Sequence, residues 1–159
     1  MSDSLHDRFG ERLGEVARLW RVQMNRRLQS HGLSVAQWLV LRALARKGDG
    51  TVQRDLAEAI GVEGSTLVGL LDRLAKAGLI ERREAAHDRR YKSVHLSAAA
   101  QDLIPVLDEV HRGLRHELFG DIPERDLATG LEVLERVLAR IEGLAGRAAE
   151  DRPAAMAER

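Results

Sequence analysis

The feature that most limits the folds available to this chain is a pair of short amphipathic segments joined by a glycine. Residues 52–60 and 65–77 each place apolar residues three and four apart, the spacing of one buried helix face. Gly61 between them permits a sharp turn, and Gly78 after the second permits a left-handed helix end. The inward residues are Leu56, Ala57 and Ile60 on the first segment and Leu67, Leu70, Leu71 and Leu74 on the second. This arrangement predicts a helix-turn-helix, with a plain helical hairpin as the alternative.

The next stretch, residues 79–96, has two strand-like pieces around a polar, strongly basic tip. Residues 79–84 and 92–96 have the composition of short strands, and the segment between them carries the charges of the tip. A β-hairpin directly after a helix-turn-helix is a wing, and this order of elements disfavours the plain helical hairpin. The sequence therefore predicts a mainly α fold with a small β-hairpin, which is a winged helix-turn-helix.

Long amphipathic segments lie on both sides of this module. Apolar stripes run through residues 5–28, 97–118 and 123–144, and a capping box formed by Ser34 and Gln37 opens a further helix that ends near Lys47. A winged module does not need the outer helices to fold, so their stripes predict a homodimer interface. The alternative is that they complete the core of a monomer.

The resulting domain prediction has three parts. Helical dimerisation regions are expected at residues 1–32 and 97–147, the winged helix-turn-helix at 33–96 and a flexible tail at 148–159. The tail is predicted because it is rich in alanine and charge and contains Pro153.

The composition excludes several function classes. The chain has no cysteine, so it has no disulfide, thiolate nucleophile or Cys-ligated zinc. It has no apolar run long enough for a membrane span and no signal-peptide pattern at its first residues, and we expect a cytoplasmic protein that needs no cofactor. Its six histidines show no metal-ligand spacing, and no Gly-rich phosphate loop or nucleophile elbow is present, so we expect neither a metal site nor an enzyme.

The charge is distributed unevenly although its net value is zero. Residues 1–48 carry nine basic and four acidic side chains, and residues 97–159 carry eight basic and thirteen acidic ones. A polyanion is therefore expected to meet only part of the surface.

In its motifs the sequence resembles the MarR family of bacterial regulators, and within it the SlyA branch. The resemblance covers residues 12–144, and its most specific part is the Asp88-Arg89-Arg90 wing motif at its distance after Gly78-Leu79-Ile80. The other matching pieces are Gly32-Leu33-Ser34 with Gln37-Trp38, Asp55-Leu56-Ala57 with Ile60-Gly61-Val62, Leu71-Asp72-Arg73-Leu74, and Val94 with Leu96-Ser97. It implies a triangular dimer on a pseudo-palindromic operator, often with a small aromatic anion as antagonist.

One residue departs from that pattern. In SlyA-like relatives an arginine that reaches a base commonly stands where this chain has Gly69. Operator preference is therefore expected to differ, or to depend more on the wing.

The start of the second helix of the helix-turn-helix is the predicted recognition surface. Its N-terminal residues Gly64, Ser65, Thr66 and Val68 are expected to reach base edges in the major groove of double-stranded DNA. For Ser65 and Thr66 the alternative is helix capping. Gln53 and Lys92 are predicted phosphate contacts, and Arg73 is predicted either to contact phosphate or to brace the acidic residue of the wing.

The wing tip is the second predicted DNA contact. Arg89 and Arg90 suit a narrow, electronegative A·T-rich minor groove. The resemblance implies that Asp88 orients Arg90 two residues further on. The alternative is an ordinary solvated charged turn.

A ligand cleft is predicted between the first two helices. Trp38 and Arg42 share one helix face, and Arg18 and Trp20 lie on the helix expected to pass nearby. Such a set is able to hold a planar aromatic carboxylate, although tryptophans at these positions also serve as plain core.

Three readings of function remain at the sequence level. The first is a sequence-specific, ligand-responsive DNA-binding transcriptional regulator. The second is a winged-helix module that binds a protein partner, and the third is a DNA-binding regulator without a ligand.

Overall fold

The computed structural model describes the backbone of residues 4–48, 50–85 and 88–150, with the side chains of these residues other than 85, 88–91 and 145–150. The helices are α1 (Leu5–Leu28), α2 (Val35–Lys47), α3 (Gln53–Ile60), α4 (Gly64–Lys76), α5 (Ala98–Phe119) and α6 (Glu124–Glu150), with a short 3₁₀ turn at Gln29–His31. The strands are β1 (Thr51–Val52), β2 (Ile80–Ala85) and β3 (Asp88–Leu96). The predicted winged helix-turn-helix fold is confirmed.

Local signals set several helix ends, and those at Ser34 and Gly78 are as predicted. The Ser34 side chain accepts from the Gln37 amide, and the Gln37 side chain accepts from the Ser34 amide at 2.9 Å, which is the expected capping box at the start of α2. Ser97 caps α5 by accepting from the Ala100 amide at 3.2 Å. Gly78 follows α4 with a φ of 71°, a left-handed conformation that glycine adopts without steric cost.

The sheet differs from the predicted two-stranded hairpin by one strand. Residue Val52, predicted to begin a helix, is extended at φ −70° and ψ 141° and belongs to β1. Thr51 pairs with Val94 and Val52 with Ser93, so the sheet order is β1-β3-β2, all antiparallel. The two β-branched residues favour this extended pairing, and α3 begins only at Gln53.

The core of the first compact unit, Met1–Glu117, joins the winged module to the ends of the outer helices. Leu56, Leu71 and Val94 of the module are fully buried. Met24 and Leu28 of α1 and Leu107 and Leu114 of α5 belong to the same apolar cluster. These residues therefore fit the alternative prediction, in which the outer helices complete the core of a monomer.

Many other apolar residues of the outer helices are exposed. In the first half of α1, Leu5 is 77% and Val16 58% exposed, and Phe9 and Leu13 are also exposed. The second compact unit, Leu118–Arg159, contains α6, whose stripe is exposed as well: Leu127, Leu131, Leu134, Leu138, Ile141 and Leu144. The helix continues to Glu150, past the predicted start of the tail at residue 148, and residues 151–159 lie outside the described part.

None of the helices in the described part of the chain combines the length and the apolar content that crossing a bilayer requires.

Candidate nucleic-acid interface

The first turns of α4 present a short polar and methyl-bearing surface. Ser65, Thr66 and Val68 are exposed, while Leu67 and Leu70 on the opposite side of the helix are buried. Within the described residues no side chain caps this helix, whose N-cap is Glu63, so the capping role considered for Ser65 and Thr66 is absent. The two hydroxyl groups and the Val68 methyl groups are therefore free to face a ligand outside the protein.

Gly69 lies on the same helix, and its missing side chain leaves space that Arg73 approaches. A Cβ at position 69 would lie 3.9 Å from the Arg73 Nη1 atom, so the guanidinium group folds back over the glycine. Arg73 is exposed. Its guanidinium group therefore lies along the outer surface of α4, next to the residues predicted to reach DNA.

The two predicted phosphate contacts occupy different surroundings. Lys92 is exposed on β3, opposite Glu84 of β2 in the strand register. Gln53 is half-buried at the start of α3, and its side-chain Nε2 is buried without a hydrogen-bond partner among the described residues. Lys92 is accessible to a phosphate as it stands, whereas the Nε2 donor of Gln53 is not.

The strand ladder of the wing changes register close to its tip. Glu84 pairs with Lys92, but the next residue, Ala85, pairs with Asp88, so the register of the two strands shifts between Glu84 and Ala85. The predicted residues Asp88, Arg89 and Arg90 belong to this strand. Their side chains lie outside the described part of the structure, so their predicted roles stay predictions.

An ion pair that sequence reasoning missed joins α4 to the wing. Arg82 of β2 donates to Asp72 of α4 from Nη2 to Oδ1. Asp72 follows Val68 by four residues and so shares its face of the helix. Arg82 lies opposite Val94 in the register, on the buried face of the wing. Alternation along the strand from the apolar Ile80 would have placed Arg82 on this face, but not next to Asp72.

A cluster of rings occupies the region of the predicted ligand cleft. Trp38 of α2 is buried, and its ring centroid lies 4.8 Å from that of His111 of α5. The Trp20 ring of α1 lies edge-on to the same imidazole, with 5.8 Å between the two ring centroids. The Arg42 guanidinium carbon lies 5.2 Å from the Trp38 ring centroid, in a cation–π contact. The structure thus brings together three of the four predicted residues and adds His111, which sequence reasoning missed.

The fourth predicted residue, Arg18, is exposed on α1. It precedes Trp20 by two residues, and side chains at this spacing leave a helix on nearly opposite sides. Within one protomer, Arg18 therefore projects in a different direction from Trp20.

The environment of His111 disfavours its charged form. Burial lowers the pKa of this imidazole below its usual 6.5, and the positive charges of Arg115 and Arg42 lower it further, while Asp108 acts weakly in the opposite direction. The Trp38 indole Nε1 is also buried without a hydrogen-bond partner among the described residues. The cluster therefore combines a spare buried donor with a local excess of positive charge.

Comparison with known proteins fits this geometry. The family model described as the MarR family matches residues 31–90. A solved structure of the transcriptional regulator PA3341 is 42% identical, with a TM-score of 0.75, and the match covers 85% of this chain and 98% of that one. The chain belongs to the MarR family.

Two further solved structures extend the comparison of this MarR-family chain. CouR from Rhodococcus jostii RHA1, solved bound to p-coumaroyl-CoA, is 26% identical with a TM-score of 0.74, covering 86% of this chain and 95% of that one. MepR of S. aureus, solved as a DNA complex, is 21% identical with a TM-score of 0.78, covering 83% and 97%. At that identity the MepR match supports the fold alone.

These matches together cover most of the chain. The family model ends within the wing, at residue 90, whereas the PA3341 match covers 85% of the chain. The predicted MarR resemblance is thereby confirmed, and both family and fold are those of transcriptional regulators.

Proposed function

We propose that this chain is a sequence-specific DNA-binding regulator that acts in the cytoplasm as a homodimer on a pseudo-palindromic operator. The observation that carries the proposal is the outer face of α4: Ser65, Thr66 and Val68 are exposed, and four buried leucines on the opposite face hold the helix rigidly. A rigid helix with short polar and methyl groups on its outer side fits the major groove. The basic wing tip, with Arg89 and Arg90, would reach the neighbouring minor groove.

Selection of genomic fragments by the purified protein tests this function. We expect enrichment of a two-fold symmetric motif whose half-sites lie about 10 base pairs apart, because each protomer supplies one α4. Binding should weaken steeply with salt, since phosphate contacts release counterions. Thr66→Val removes the hydroxyl at constant shape and should change the selected motif, while the exposed Glu58→Gln should not.

Absence of any enriched motif would favour the rival function, a winged-helix module that binds a protein partner. In that case binding to DNA fragments would be weak and independent of sequence.

The homodimer is supported by the exposed apolar stripes of α1 and α6. A stripe of this length in contact with water is unfavourable, and a second copy of the chain offers the same stripe to cover it. We expect a solution mass of about 35 kDa, twice the 17.7 kDa of one chain. A stable monomer in light scattering at micromolar concentration would overturn this part of the proposal.

A small aromatic carboxylate is the proposed ligand of the ring cluster. Trp20 and Trp38 offer aromatic surface, the Trp38 Nε1 offers a hydrogen-bond donor, and Arg42 offers charge. Arg18 remains a candidate contact, and the similar protein CouR was solved bound to p-coumaroyl-CoA. Salicylate should quench tryptophan fluorescence and weaken operator binding in the wild type, and both effects should be smaller in Arg42→Gln. The matched control is Arg46→Gln, at an exposed position of the same helix, which should respond to salicylate as the wild type does. If calorimetry detects no heat of salicylate binding, the result would favour the alternative of a DNA-binding regulator without a ligand.

A further inference from the structure

The strand that leads into the wing carries two adjacent arginines in different settings. Arg82 lies on the buried face of β2, its side chain is 24% exposed, and it pairs with Asp72 of α4. Arg83 lies on the other face, is 59% exposed, and pairs with Glu81 of its own strand at 2.8 Å. Only the first of these two ion pairs connects different elements.

Asp72 is an unexpected residue for the surface that it occupies. It lies one turn beyond Val68 on the outer stripe of α4, where an unpaired carboxylate would repel DNA phosphates. Its pairing with Arg82 offsets this charge and at the same time fixes β2 against the helix. The Asp72 side chain is 57% exposed, and an ion pair with a solvent-exposed partner contributes little to folding stability, so its geometric effect is separable from its effect on stability.

We propose that the Asp72–Arg82 ion pair is a positioning device that holds the wing at a fixed orientation to α4, so that both elements meet the operator together. The inference rests on the proposed DNA-binding function. Neither residue needs to touch a base: Asp72 acts through Arg82, and Arg82 acts through the strand that carries the wing tip.

Charge and geometry predict opposite results for one variant. Asp72→Asn removes a negative charge near DNA, so a purely Coulombic account predicts tighter binding. Loss of wing orientation predicts weaker binding, and we expect operator affinity to fall about three- to tenfold. Arg82→Gln should give a similar loss, and the exchange Asp72→Arg with Arg82→Asp should restore affinity to within about twofold at unchanged net charge.

The controls use the neighbouring ion pair. Glu81→Gln and Arg83→Gln make the same charge changes within the same strand, without breaking a connection between elements. Melting temperatures of all variants should stay within about 4 °C of the wild type, which excludes unfolding as the cause.

The deciding measurement compares the affinity for the first operator with the affinity for a second operator that has G·C in place of A·T beneath the wing. The wild type and both control variants should discriminate between the two operators by the same factor. Asp72→Asn should lose most of this discrimination although its substitution is on α4, because the wing no longer sits in the groove.

The outcomes separate the two proposals. If the wild type shows no sequence preference, the proposed function fails. If the wild type discriminates but Asp72→Asn binds both operators more tightly, or weakens on both by one common factor, the positioning role is overturned while the proposed function stands.

Discussion

The winged module and the outer helices are built from the same kinds of apolar residue but bury them differently. Leu71 of α4 is fully buried, whereas Leu131 of α6 is 56% exposed, although both belong to leucine stripes with helical spacing. Periodicity shows which face of a helix is apolar and says nothing about what covers it. The module thus obtains its stability within one chain, and the outer stripes remain available to a second copy.

The largest expected effect concerns the module core. Leu71→Ala should lower the free energy of unfolding by about 3 kcal/mol, because it leaves a cavity where the side chain is fully buried. Leu131→Ala should lower it by less than about 1 kcal/mol when measured well below the dimer dissociation constant. Urea denaturation at two protein concentrations measures both. Equal losses at low concentration would remove the contrast between the two regions.

The next effect concerns the outer stripe itself. Leu138→Asp places a charge on the exposed stripe of α6 and should raise the dimer dissociation constant about 100-fold or more, since an unpaired charge would be buried in the interface. Arg136→Asp, on the opposite side of the helix, should leave the mass at about 35 kDa. Sedimentation velocity distinguishes the two, and a dimeric Leu138→Asp variant would show that another surface forms the interface.

The wing tip should affect binding without affecting folding. Arg90→Ala should lower operator affinity at least about tenfold, or 1.4 kcal/mol, and reduce the salt slope by up to about 2 for the two subunits. Asp88→Ala should also weaken binding if it orients Arg90. Fluorescence anisotropy over a salt series measures both, with thermal melts to check that folding is unchanged. Additive effects of Arg90→Ala and of G·C substitution under the wing would reassign Arg90 to phosphate contact.

The smallest effect concerns His111, where the two regions meet through α1, α2 and α5. The folded state resists protonation of this imidazole because burial and neighbouring arginines lower its pKa, whereas the unfolded chain takes up the proton near pH 6.5. The unfolded state therefore binds more protons in this range, and stability should fall as pH decreases below 6.5. His111→Gln should flatten this part of the stability profile between pH 7 and 5. An unchanged slope in the variant would assign the pH dependence to other groups.

Features determined by neighbouring residues were predictable from the sequence. The capping box at Ser34, the left-handed Gly78 and the inward leucines of α4 each depend on residues within one turn of each other. Their physical causes are local, so one sequence was enough to predict them.

Features that depend on distant partners were missed. Strand β1 exists because Thr51 meets Val94, and a two-residue strand carries no pattern of its own. His111 joins the ring cluster because α5 returns to α1 and α2, which no spacing within α5 reveals. In the same way, the exposed position of Asp72 became informative only when the fold brought Arg82 next to it.

The short strand β1 also has a consequence for the order in which the molecule opens. Its pairing with β3 closes a loop of chain that contains both α3 and α4, and the Gly50 amide adds a hydrogen bond to the Val94 carbonyl at 3.1 Å. The base of the wing is therefore tied to the start of the helix-turn-helix, whereas beyond Thr51–Val52 the strand pairing of the described residues is between β2 and β3 only. Amide hydrogens at the base should exchange only through cooperative opening of the whole module, whereas those near the tip should exchange through local fraying.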